Sequence, residues 1–132
     1  MNFLATLGYS TREIEAPVEL PSLDLVNIEA NRIALSQALF QEIDVLLLPT
    51  TTDIPPSIEA ATAGGAQAVA PDNTFFCNYY GLPALSLPCG FSSNGLPLGF
   101  QVVGPRQGEN TVLSVAHTFQ QATQWHMQHP SF

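Results

Sequence analysis

Residues 72–103, DNTFFCNYYGLPALSLPCGFSSNGLPLGFQVV, decide the fold. They read as a short helix, a sharp stop and a β-hairpin. Asp72 suits the N-cap, where a carboxylate accepts orphan amide hydrogens of the first turn. Gly81 suits the left-handed residue just past a helix, and Pro83 forbids continuation. Leu85, Leu87, Cys89 and Phe91 then alternate with Ala84, Ser86, Pro88 and Gly90, which is the period of a strand. Asn94-Gly95 marks a hairpin turn, since both residues tolerate the positive φ such turns need. The return strand sets Leu96, Leu98, Phe100 and Val102 on one face, with Pro97, Gly99, Gln101 and Val103 on the other. One face is bulky. The other is mostly small and lets a helix or another backbone come close.

On the amino-terminal side, residues 2–7 are helix-compatible as far as Gly8. Tyr9 to Ile14 reads as a strand leading into a Pro17–Pro21 linker. A helix of one or two turns cannot meet its own nucleation cost. The chain therefore reads either as beginning inside an element, with upstream sequence missing, or as a frayed natural start. Ser22 or Asp24 caps a second helix running to about Gln41, with Leu25, Ile28, Leu35, Ala38 and Leu39 as its apolar stripe. Glu29 and Arg32 form a solvent-facing pair three residues apart. Val45 to Leu48 is a continuous apolar run, expected in the middle of a sheet and covered on both faces. Residues 50–71 read as a long loop of the functional or mobile kind. Past the hairpin, Gly104-Pro105 turns the chain and a last helix begins between Gly108 and Thr111. Its buried stripe is Val112, Val115, Ala116, Phe119 and Ala122, with His126 and His129 at its carboxyl end and Pro130 as its stop. The expected class is α/β: a mixed sheet holding the 45–48 strand and the 84–103 hairpin, with helices packed on it.

A chain of 132 residues is long enough for one domain with a real core. Its composition is 45% hydrophobic and only 11% charged, where soluble domains carry roughly 25% charged residues. Either part of the surface is meant for burial against other protein, or it is rich in Gln, Ser and Thr. The net charge is −8, from eleven acids and three arginines with no lysine. Clustered Lys/Arg is what binds a phosphate backbone or an anionic membrane, so neither partner is expected. No apolar run approaches the roughly 18 residues of a membrane span, and the first residues lack the basic region of a signal peptide. Cys77 and Cys89 form no disulfide framework, so a reduced cytoplasmic setting and core thiols are expected.

The residues offer no catalytic set of their own. No Gly-x-Ser-x-Gly elbow presents a serine, and all three histidines, His117, His126 and His129, fall on the last helix. Neither cysteine has a basic neighbour in sequence to lower its pKa. His126 and His129 have the spacing of two ligands on a helix face, but nothing nearby completes a zinc site, and a helix end is the better reading. Gly64-Gly65 lacks the Lys-Ser/Thr of a phosphate loop. No metal or cofactor is expected.

The string NYYGLPALSLPCGF, followed by GLPLGFQVVGPRQGE, resembles the C-terminal block of amidase-signature enzymes. Those pair an Asn, a Gly-Leu-Pro and a Pro-x-Gly with a later Gly-Leu-Pro-x-Gly-x-Gln. The strand DVLLLPTT and the closing helix fit the same family, so the resemblance spans residues 32–125. It implies amide hydrolysis by a serine nucleophile, a bridging serine and a lysine that must be neutral to accept the proton. In that family those residues lie in a Gly/Ser-rich segment upstream of everything matched here. In this chain Gly64-Gly65 is followed by Ala-Gln-Ala, and lysine is absent.

The resemblance therefore implies the C-terminal part of a truncated or split hydrolase of non-peptide carbon–nitrogen bonds, inactive alone. Residues 22–132 would be the amidase-like block, and 1–21 a helix end, strand and linker. It also implies that Asp72, Thr74, Phe75 and Asn78 help wall a substrate pocket. Read without it, Asn78 suits a hydrogen bond to the backbone at Gly81 or the hairpin start, and Phe75, Phe76, Tyr79 and Tyr80 suit a core. The expected partners are the remainder of an amidase, or a second copy through an exposed apolar face, with a small-molecule amide once complete. The rival readings are a non-catalytic interaction or dimerisation module and, less simply, a hydrolase with an unrecognised site.

Overall fold

In a computed structural model that describes residues 3–14, 24–65 and 68–129, the local signals mature into five helices and three strands. These are α1 (Phe3–Thr6), α2 (Ile28–Leu39), β1 (Leu46–Pro49), α3 (Ile58–Gly64), α4 (Asp72–Tyr80), β2 (Ala84–Phe91), β3 (Pro97–Val103) and α5 (Glu109–Ala122). A single 3-10 turn, Trp125–Met127, follows α5. The linker expected at Pro17–Pro21 and the Ser22 cap lie outside the described residues.

The sheet order is β1-β3-β2, with both pairs antiparallel. The α/β class stands, but within the described strands the sheet is antiparallel throughout rather than mixed. The 45–48 run was expected at its centre. Instead β3 is central and β1 lies at an edge, with Leu46 opposite Val103 and Leu48 opposite Gln101. Tyr9 to Ile14 forms no strand. It runs irregularly, tied by an Arg12–Glu42 ion pair of 2.8 Å, while Ile14 and Tyr9 pack against different core clusters.

Those clusters cover the two faces of the sheet. Val103 joins Leu39, Leu46, Phe76, Cys77 and Leu82 under α2 and α4. Its neighbour Val102 joins Leu87, Val112, Val115, Ala116 and Phe119 under α5. The stripe expected on α5 is buried except for Ala122, which is exposed. On α2 the expected stripe holds less well: Leu39 is buried together with Ser36, Ala38 is exposed, and Leu25 is 69% exposed ahead of the helix. Asp24 caps no helix. Its carboxylate takes the amides of Val26 and Asn27 at 3.2 and 3.1 Å, closing a turn before α2 begins.

Three further departures have local causes. Within the 50–71 loop Ser57 accepts the Ala60 amide at 3.1 Å and starts α3. The signal was a Ser cap followed by alanines, which are the best helix formers. The hairpin alternation breaks at Cys89, an extra residue between Pro88↔Gly99 and Gly90↔Leu98, so Phe91 pairs with Pro97. The turn itself uses Gly95, at φ 76°, whose amide returns to Ser92 O at 2.9 Å; Asn94 does not take positive φ. α5 also stops early. Thr123 is extended and bonds Phe119 O through its hydroxyl at 2.9 Å, and Trp125 then meets Phe91 edge-on at 6.0 Å. His126 and His129 therefore lie beyond the helix, not on its last turn.

Phe76, at 2% exposure, should cost about 3–5 kcal/mol when cut to Ala. Phe91, at 48% exposure, should cost under about 1.5 kcal/mol, the worth of its pairing with Trp125. Urea unfolding of both variants measures the contrast, and equal losses would contradict the placement of the core.

Candidate functional site

All four residues singled out as substrate contacts lie on α4, so what fixes α4 fixes them. Nine residues are too few for a helix to stand on propensity alone. Its inner side supplies Phe76, Cys77 and Tyr79 to the core, and polar contacts hold both its ends.

At the amino end Asp72 is the first helical residue rather than the N-cap, which is Pro71. Thr74 returns its hydroxyl to Pro71 O at 3.1 Å. Asn73 reaches down to the sheet, donating its side-chain amide to Pro49 O of β1 at 3.0 Å. Gln101 of β3, only 3% exposed, donates back to the Asn73 carbonyl. Beside it the hydroxyls of Thr50 and Ser86 meet at 2.6 Å, in space that a Cβ at Gly99 would crowd from 3.2 Å. This is the small face expected of the hairpin, and its smallness admits polar side chains as well as backbone.

At the carboxyl end Gly81 takes the left-handed conformation, φ 63° and ψ 40°, and Leu82 N–H returns to Cys77 O at 2.9 Å. Arg32 then closes the end from α2. Its Nε donates to Tyr79 O at 2.7 Å and an Nη to Asn78 O at 3.4 Å, while its other Nη pairs with Glu29 at 2.9 Å. Glu29 also holds Arg106 at 3.1 Å, and the Arg106 amide bonds Ser36 Oγ at 3.1 Å. A guanidinium on the last carbonyls of a helix satisfies orphan acceptors and meets the negative end of its dipole. The Glu29–Arg32 pair is thus part of a clamp between α2, α4 and the turn after β3, not only a surface pair. Hydrogen bonds from Arg32, then from Arg106, hold the Glu29 carboxyl below its ordinary range.

So held, α4 turns Asp72, Phe75 and Asn78 outward, with Thr74 half-buried. At about 100° per residue, Thr74, Phe75 and Asn78 fall within roughly 100° of helix surface, with Asp72 some 60° further round. The aromatics divide. Phe76 and Tyr79 are core residues at 2% and 5% exposure, whereas Phe75 is 36% exposed. The Tyr79 hydroxyl exchanges hydrogen bonds with the Asp24 backbone, accepting from N–H and donating to C=O, both at 3.2 Å. The bond suggested from the Asn78 side chain to the corner at Gly81 is not made; that corner is held by backbone and Arg32 instead.

Two open clefts lie elsewhere. One, about 1180 Å³, is bounded by the bulky face of the sheet, the end of α5 and residues 51–55. The other, about 1030 Å³, separates residues 9–14 from β1. None of the four α4 residues lines either. Among the described residues no three His, Cys, Asp or Glu side chains gather as a metal site. Burial pushes the Cys77 thiol up to about 11 and raises Cys89 as well, so both are disposed against the thiolate form. No helix among the described residues is long and apolar enough to cross a membrane.

Comparison with known proteins matches this geometry to one group. A family profile described as Amidase matches residues 24–113. The chain is 42% identical over 95 residues to a glutamyl-tRNA(Gln) amidotransferase subunit from a Cyanothece species, covering 71% of this chain. It is 44% identical over 94 residues to the same subunit from Microcystis aeruginosa, covering 70%. In each case the match spans 20% of the relative, so the chain corresponds to about a fifth of the length of these proteins. Among solved structures it superposes on 6-aminohexanoate cyclic dimer hydrolase with a TM-score of 0.64 at 28% identity, covering 80% of this chain and 25% of that one. Allophanate hydrolase of Kluyveromyces lactis gives 0.56 at 28% identity, covering 76% and 17%.

Arg32→Ala should destabilise the protein by about 1.5–3 kcal/mol, because it leaves helix-end carbonyls without a charged donor. Arg32→Lys should recover little of this, lacking the planar fork. Arg12→Ala, which breaks an ion pair with side chains 53% and 69% exposed, should cost at most about 1 kcal/mol. Urea melts of the three variants rank them, and a reversed order would refute the clamp.

Proposed function

The chain belongs to the amidase family, and from that premise we propose that it is the C-terminal segment of an amide hydrolase, supplying sheet and pocket wall. The serines and the lysine base come from outside these 132 residues. The observation that carries this reading is chemical: part of the family's framework is formed here, yet no lysine occurs in the sequence. A serine hydroxyl becomes a nucleophile only as a base removes its proton. The three arginines cannot substitute. Arginine stays protonated in proteins, and each is ion-paired with a glutamate.

In the assembled enzyme the outward face of α4 is the wall toward a small amide substrate. Phe75 offers an apolar surface, and Asp72, Thr74 and Asn78 offer polar groups to orient the amide. The four form a contiguous patch on a helix held at both ends, which gives a binding surface its precision. The reduced cytoplasm is the proposed setting. The amidotransferase and hydrolase names of the relatives describe those proteins; which amide this one recognises is left to the assembled pocket.

The test is ammonia release. The purified chain, given simple aliphatic and aryl amides, should release none above buffer. Co-expression with a family segment carrying the lysine and the Gly/Ser-rich serines should produce turnover. In that complex Asp72→Ala or Asn78→Ala should raise KM about tenfold, as expected for loss of one polar substrate contact. Activity that follows the isolated chain through successive columns would overturn the proposal. Unchanged KM in both variants would remove α4 from the pocket.

A further inference from the structure

The cleft of about 1180 Å³ touches none of the α4 residues proposed to meet the substrate. Its floor is the bulky face of the sheet: Leu47 and Pro49 of β1, Leu98 and Phe100 of β3, and Cys89 at the bulge. The Phe100 ring meets Phe119 edge-on at 4.8 Å where α5 gives out, and Trp125 stands at the rim against Phe91. The early end of α5 is what opens it. The helix covers Leu85, Leu87 and Val102 and stops at Ala122, leaving beside the cleft only the single turn of α1, which contributes Leu4.

We propose that this cleft seats an amphipathic helix from the remainder of an amidase-family polypeptide, lying on the sheet next to α5. The inference rests on the proposed function, and it names the surface through which the missing part docks. Three observations select a protein helix over a small ligand. First, ligand pockets run to about 300–1000 Å³ and enclose most of the ligand, whereas this cleft is larger and open along one side. Second, Asp53 is the single charged side chain among the described residues that line it, and charge depletion with aromatic enrichment marks the core of a protein interface. Third, about four-fifths of the length of the curated relatives lies outside the matched segment, so ample chain exists to supply the helix. A sheet face bulky enough to bury one helix accepts a second beside it by the same packing. A second copy of this chain fits less well, since each copy carries a charge of −8 and like charges oppose association.

The protein carries its own reporter, because Trp125 is its one tryptophan and is 38% exposed at the cleft rim. The probe is the portion of the Microcystis aeruginosa relative that lies outside the matched segment, mixed with the 132-residue chain. The expected result is a blue shift of Trp125 emission and an alkylation rate at Cys89 slowed about tenfold or more as its surroundings close. Leu98→Asp, at a floor residue 37% exposed, should weaken the complex by about tenfold or more, the loss expected of a central interface residue. Protection of the buried Cys77 should be unchanged in that variant, which shows that it folds. A complex that forms and hydrolyses amides while Trp125 and Cys89 respond as in the free chain would overturn this inference and leave the proposed function standing. Occupied reporters without hydrolysis would do the reverse. Failure to form any complex would count against both.

Discussion

Two adjacent valines carry opposite halves of the structure. Val102 and Val103 are both completely buried, yet successive residues of a strand point to opposite faces. Each therefore needs its own cover, α5 for Val102 and the α2–α4 pair for Val103. A slip of one residue in the pairing of β3 would exchange the two side chains between the cores. With partners on both edges, β3 holds β1 and β2 in register at once, and the helices follow from what those strands present. The Cys89 bulge lies toward the turn end of the hairpin, away from the Val102–Val103 end. Cys89 there packs at the edge of the α5 core and lines one cleft.

The same arrangement explains how a short helix becomes a fixed surface. α4 rests on the small-residue face, where Gly99 and Ser86 leave room for Asn73 and Gln101 to bond across the helix–sheet seam. Buried polar groups of this kind stabilise only when their partners are present; Gln101 donates to the Asn73 carbonyl, and the Asn73 side chain to that of Pro49. At the opposite end a guanidinium reaches 47 residues along the chain to the last carbonyls. α4 is thus anchored by hydrogen bonds that have direction, while apolar burial, which has none, supplies most of the driving force. That division fixes the orientation of the residues that α4 turns outward.

Scarcity of charge links the remaining features. All three arginines pair with glutamates, two of them with the same one, so the acids left over set a negative surface. The large cleft stands apart from it as an apolar opening with Asp53 as its charged member among the described residues. The hydrophobic content in the composition is consistent with this. Part of it lines that cleft, in Leu47, Leu98, Phe100 and Trp125.

Read alone, the sequence determined most elements whose signal lies within a few residues. The hairpin, the stop at Gly81-Leu82-Pro83, the apolar run of β1 and the stripe of α5 follow from periods of 2 and 3.6 and from glycine and proline chemistry. The amidase resemblance came from the same local strings. It also pointed to Asp72, Phe75 and Asn78, which are exposed, and Thr74, which is half-buried, though not to what holds α4 in place. The missed α3 was local too, a serine cap and alanines overlooked in a stretch read as loop. What only the tertiary structure decided was adjacency: β3 rather than β1 at the centre, Arg32 on the end of α4, Trp125 on Phe91, and a cleft where α5 ends. Periodicity is a property of neighbours along the chain. Which strand pairs with which, and which donor reaches which carbonyl, depends on closing loops of tens of residues, where the outcome is set by competing burial and hydrogen bonding across the whole fold.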